Sequence, residues 1–124
     1  MKLISGVDLI EVARLREAVS LHGERFLNRI FTPAELKEYE HKPESLAGRF
    51  AAKEAVAKAF GSGIGDVAWK EIEILRGESG QPLLVLHGAA KEKARAMEIV
   101  DWSVSISHTN DHALAFVVGL ADRG

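Results

Sequence analysis

The sequence predicts an α+β fold in which one strand is followed by helices and then by antiparallel strands with a single further helix among them. Three observations carry this. The run 47–60 is rich in alanine and straight-chain residues and stops at Gly61, as a strong helix with a glycine cap does. Residues 2–10 and those after 69 alternate with the period of a strand. Turn-forming residues gather at 77–82 and 109–112, where hairpin loops would fall. This order, strands segregated from helices, gives α+β and not alternating α/β.

Residues 2–10 place Ile4, Gly6, Asp8 and Ile10 on one face and Leu3, Ser5, Val7 and Leu9 on the other, so a largely buried strand is expected. Asp8 then sits among Ile and Leu. A buried lone carboxylate costs several kcal/mol, so Asp8 needs a cation, a metal or several donors. The alternative is a cap on the next helix, since Glu11 follows in capping-box spacing.

Val12, Leu15, Ala18 and Val19 give residues 11–21 a helical period with Arg14 and Arg16 outward, and residues 25–31 add a further turn or two. Mixed with Glu11, Glu17 and Glu24, these arginines read as a solvated face. Thr32-Pro33-Ala34-Glu35 supplies N-cap, N1 and N3 for a short helix through Tyr39. Residues 41–44 read as a polar connection. Residues 69–76 and 83–86 form a hairpin, His87-Gly88 opens a last helix to about residue 97, and strands 102–108 and 113–120 close the chain. His108 ends the apolar face of Val104 and Ile106, at a turn.

With 124 residues and 47% hydrophobic content, the whole of 1–124 is expected to be one domain. A net charge of −2 without a basic stripe argues against nucleic acid as a partner. The absence of cysteine removes disulfides and thiolate zinc sites and fits a reducing cytoplasm. No apolar run nears the roughly 20 residues of a membrane span, and Met1-Lys2 leads into a strand and not a signal peptide, so a soluble, cytoplasmic protein is expected.

On the central helix Glu54 and Lys58 share a stripe with Ala47 and Ala51, small residues that let a backbone or ligand come close. The competing reading is an ordinary surface ion pair at i, i+4. Asp8, Glu54, the cations Arg49, Lys53 and Lys58, the bend Gly61-Ser62-Gly63 and His108 together suggest a metal-assisted phosphate or pyrophosphate site. Magnesium takes one or two protein carboxylates and fills its shell with water and phosphate oxygens. Neither a P-loop nor a Rossmann fingerprint is present.

Three blocks, Gly6-Val-Asp8-Leu-Ile-Glu11, Arg49-Phe-Ala-Ala-Lys-Glu54-Ala-Val-Ala-Lys58-Ala-Phe-Gly61-Ser-Gly63-Ile64 and Val104-Ser-Ile-Ser-His108-Thr109, resemble the signatures of the holo-acyl carrier protein synthase family of small bacterial 4′-phosphopantetheinyl transferases. The resemblance implies transfer of the 4′-phosphopantetheine arm of coenzyme A to a serine of apo acyl carrier protein, releasing adenosine 3′,5′-bisphosphate, in fatty acid biosynthesis. It implies that Asp8 and Glu54 hold Mg2+, that Lys58 meets the pyrophosphate, and that Arg49, Lys53, Gly61, His108 and Thr109 surround the nucleotide. It further implies a homotrimer with sites between subunits, and contact of Arg14 with the carrier protein. The alternative from another class is a coenzyme-A-binding module without chemistry.

Overall fold

The computed structural model describes residues 1–39 and 41–122. Its elements are β1 (Lys2–Glu11), α1 (Val12–His22), α2 (Glu24–Ile30), α3 (Pro33–Tyr39), α4 (Pro43–Phe60), a 3₁₀ turn (Trp69–Glu71), β2 (Ile72–Arg76), β3 (Pro82–Leu86), α5 (Gly88–Ala96), β4 (Ile99–His108) and β5 (His112–Ala121). The α+β expectation holds. The strands form an antiparallel sheet in the order β1-β5-β4 and a separate β2-β3 hairpin.

Helix α4 is the axis of the molecule. Its alanines 47, 51, 52, 55, 57 and 59 are all buried, as are Leu46, Val56 and Phe60, so it is enclosed on most sides. Small side chains allow this. At Gly6 the contact is so close that an added Cβ would lie 1.9 Å from the carbonyl oxygen of Ala55, and one on Gly48 would lie 2.7 Å from Ile106. Gly61 ends the helix in the left-handed region at φ 90°, its N–H bonded to Lys58 O at 2.9 Å.

Three expectations are corrected. Pro43 and Glu44 are not a connection but the first turn of α4, because proline suits the first helical position, where its missing N–H has no intrahelical partner to lose. Residues 69–71 are a 3₁₀ turn and not strand, fastened by the Glu71 carboxylate, which accepts the N–H groups of Ala68 and Ala89 at 2.7 Å each. β1 is not buried on both faces. Helix α4 covers the face of Gly6 and Asp8, whereas Val7 and Leu9 lie opposite Phe116 and Leu114 on a face that leaves all four exposed.

Candidate active site

Asp8 projects from β1 toward α4 beside Lys58, whose Nζ donates to Asp8 Oδ1 at 3.0 Å and to the carbonyl of Val7 at 3.1 Å. Asp8 is therefore no helix cap. The α1 N-cap is Glu11, without a side-chain bond, and the N–H of Val12 goes to Asp111 O at 2.8 Å. Glu54, one turn before Lys58, has no ion-pair partner within 4.0 Å among the described residues. Burial and, next, the negative charge of Asp8 push its carboxyl above the usual carboxylate range, with Lys58 partly opposing. Two carboxylates and one ammonium thus converge from distant parts of the chain, and Lys58 does not form the surface pair with Glu54 that its spacing allowed.

This cluster lies at a cavity of about 520 Å³ whose walls include Asp8, Ile10, Arg14, Phe26, Phe50 and Glu54. Phe50 is fixed by stacking on Trp69, with ring centroids 4.9 Å apart. Charge and shape both leave room for a hard cation. The two carboxylates are only half neutralised by Lys58, and among the described residues no third His, Cys, Asp or Glu joins them. Such a donor pair fits Mg2+, which commonly keeps several positions for water and phosphate oxygens.

The other expected ligands fall elsewhere. Lys53 is fully buried and turned away from the cavity. Its Nζ donates to Glu35 Oε1 at 2.8 Å, Trp69 O at 3.1 Å and Ile72 O at 2.5 Å. Those three acceptors use all the donors of an ammonium, which corrects its expected place beside the nucleotide. Burial drives its pKa down, and Glu35 and Glu73 pull it back. Arg49 is buried with its guanidinium 3.9 Å from the Tyr39 ring, donating to Tyr39 Oη at 2.7 Å, while its Nε has no acceptor among the described residues.

His108 stands exposed at the end of β4, in register with Ala113, which pairs in turn with Ile10 of β1. With β5 between them, His108 lies two strand spacings, roughly 10 Å, from β1. It is not part of the cavity wall. Thr109 Oγ1 accepts the N–H groups of Asp111 and His112 at 3.1 Å each, shaping the hairpin and leaving its O–H free to donate. Above Gly61, Gly63 and Gly65 an added Cβ would meet nothing within 4 Å, so the bend presents an open backbone. Lys93 of α5 donates to Ser62 Oγ at 2.8 Å and lies 3.4 Å from Asp66.

Sequence reasoning missed Phe26, Phe50 and His112 as cavity walls, Lys93 beside the bend, and the polar group around Glu35. The Thr32–Glu35 capping box was the legible sign of the last: Glu35 N–H reaches Thr32 Oγ1 at 3.2 Å and Thr32 N–H reaches Glu35 Oε1 at 2.9 Å. Nothing in the box itself signalled that the same carboxylate also takes Lys53.

A family model described as 4′-phosphopantetheinyl transferase superfamily matches residues 5–117. The holo-[acyl-carrier-protein] synthase of Herpetosiphon aurantiacus is 51% identical over 125 residues, covering 95% of this chain and 98% of its own length. That of Natranaerobius thermophilus is 45% identical, covering 94% and 96%. Among solved structures, Helicobacter pylori holo-[acyl-carrier-protein] synthase in complex with coenzyme A superposes with TM-score 0.87 at 36% identity, over 94% of this chain and 100% of the other. The Bacillus anthracis enzyme in complex with CoA (3′,5′-ADP) gives 0.78 at 33%, over 98% and 100%.

Proposed function

The chain belongs to the 4′-phosphopantetheinyl transferase superfamily, and from that premise we propose that residues 1–124 form one holo-acyl carrier protein synthase domain. It transfers 4′-phosphopantetheine from coenzyme A to a serine of apo acyl carrier protein for fatty acid biosynthesis in the cytoplasm. The observation that carries this reading is the convergence of Asp8 and Glu54 on one cavity, with Lys58 bonded to Asp8.

The reaction forms a bond from the serine oxygen to the β-phosphorus and breaks the bond from that phosphorus to the bridging oxygen, which leaves on adenosine 3′,5′-bisphosphate. Protein groups need only align these oxygens and hold the charge. Asp8 and Glu54 would hold Mg2+, which when bound supplies charge compensation to the phosphate oxygens. Lys58 lies half-exposed beside Asp8, where a pyrophosphate oxygen can take over one of its hydrogen bonds. Glu54, beside the same ion, is the carboxylate proposed to take up the serine proton. Arg49, Gly61, His108 and Thr109 are the proposed nucleotide contacts. The unpartnered Nε of Arg49 and the open backbone of the bend support their part in it.

His108 is remote from Asp8 within one chain, and the outer face of β1 and β5 is apolar and exposed. Both favour a homotrimer whose sites combine the carboxylates of one copy with the β4 end of another. Arg14, exposed on α1 at the cavity, is the proposed contact for an acidic carrier protein.

The test is transfer from coenzyme A to apo carrier protein in Mg2+, followed as mass gain on the carrier. Asp8→Asn and Glu54→Gln are each expected to slow it at least about 100-fold, and Arg14→Glu to raise the carrier KM alone. An undiminished rate in the Asp8→Asn, Glu54→Gln double variant would refute the site.

A further inference from the structure

The largest chemical feature that the proposed reaction leaves unused is the buried group around Lys53. Glu35 Oε1 accepts Lys53 Nζ at 2.8 Å and the N–H of Thr32 at 2.9 Å, and Oε2 accepts the N–H of Ile74 at 2.9 Å. Lys53 also donates to Trp69 O and Ile72 O. One side chain of α4 is therefore bonded to α3, to the 3₁₀ turn and to β2. Lys53 and Glu35 are both 0% exposed, so water competes for none of these bonds.

Other side chains also hold α4, Arg49 on Tyr39, Phe50 on Trp69 and the half-exposed Lys58 on Asp8, but Lys53 is the fully enclosed one and engages three elements at once. Six of the twelve buried residues of α4 are alanine, which packs closely but offers a neighbour few ridges to engage. Direction matters here because Glu54 is the next residue. A turn of about 20° would swing a side-chain tip on a helix of 5–6 Å radius by roughly 2 Å. Oxygen ligands of a divalent cation tolerate about 0.2 Å.

We propose that Lys53 is the positioning residue of this site: by bonding three fixed acceptors at once it sets the rotation of α4 and so aims Glu54 at Asp8. The proposal rests on the reading of Asp8 and Glu54 as cation ligands. Lys53 touches neither substrate nor cation. Its effect passes through the helix it anchors.

The test uses the whole chain and the manganous ion alone, titrated by electron paramagnetic resonance, with kcat and KM measured alongside. Lys53→Met alone strands Glu35 without a cation and is expected to unfold the chain, so the informative variant is Lys53→Met with Glu35→Gln, which keeps an acceptor for the backbone N–H groups that Glu35 holds. That uncharged pair, whose glutamine still accepts a backbone N–H and can donate to a carbonyl that Lys53 leaves, is expected to fold with its melting temperature lowered by several degrees. Its manganese affinity falls about 10-fold and its kcat about 10- to 100-fold, with the carrier KM unmoved. A folded double variant with wild-type affinity and kcat overturns the proposal. So does a double variant that cannot fold, since the pair is then a condition of the fold and not of the site. Should the wild type bind no manganese, the carboxylate reading itself fails, and this proposal with it.

Discussion

Glu73 illustrates how a single buried carboxylate is kept ionised. Burial pushes its carboxyl up, but the Thr32 hydroxyl at 2.5 Å, His87 at 3.0 Å and the charge of Lys53 more than offset this and hold it below the ordinary range. A group bound more weakly by protons when folded stabilises the fold fully above its unfolded pKa, about 4.3, and loses that contribution as pH falls toward the folded value. Glu73→Gln is therefore expected to cost about 1–2 kcal/mol at neutral pH. Its stability then varies less with pH than that of the wild type below about 4.3, as urea unfolding at stepped pH will show. At this scale the sequence was eloquent about Asp8, whose place in an apolar strand demanded a cation, and Lys58 supplies one. It misled about Lys53, because a lysine two turns from a phosphate bend and a lysine buried against Glu35 have the same spacing along the chain.

Between elements, the closest join is β1 against α4. A methyl on Gly6 would overlap the carbonyl of Ala55, which belongs to the helix backbone and cannot swing aside. Gly6→Ala is expected to destabilise the chain by about 3 kcal/mol and to weaken transfer as well, since the strand that is forced outward bears Asp8; denaturant unfolding and the transfer assay check the two parts. Alanine run, capping box and hairpin turns made nearly every element legible, because each is a local property. The 3₁₀ turn at Trp69–Glu71 was not, since the Glu71 carboxylate that fastens it reaches Ala89, far along the chain. The strand Ile72–Arg76 was legible from its alternation, but not the burial of Glu73 on its far face, which rests on polar partners from distant elements.

For the molecule as a whole, the decisive surface is the side of the sheet that α4 does not cover. Val7, Leu9, Leu114 and Phe116 meet there in register, a contiguous apolar face of the kind that marks an interface. Phe116→Asp is expected to convert the proposed trimer to monomer and to abolish transfer while leaving the fold intact; sedimentation velocity gives the state and circular dichroism the fold. The strand alternation at residues 2–10 announced two apolar faces, but not that only one of them would be covered within the chain. In the proposed trimer the other face is covered by a second copy, about which spacing is silent.

The distance between His108 and Asp8 within one chain carries a kinetic signature. If a working centre borrows its parts from neighbouring copies, catalyst abundance in dilute solution grows with the cube of the number of chains and becomes proportional to it only once assembly saturates. Halving a scarce supply of this polypeptide would then remove far more than half of the turnover.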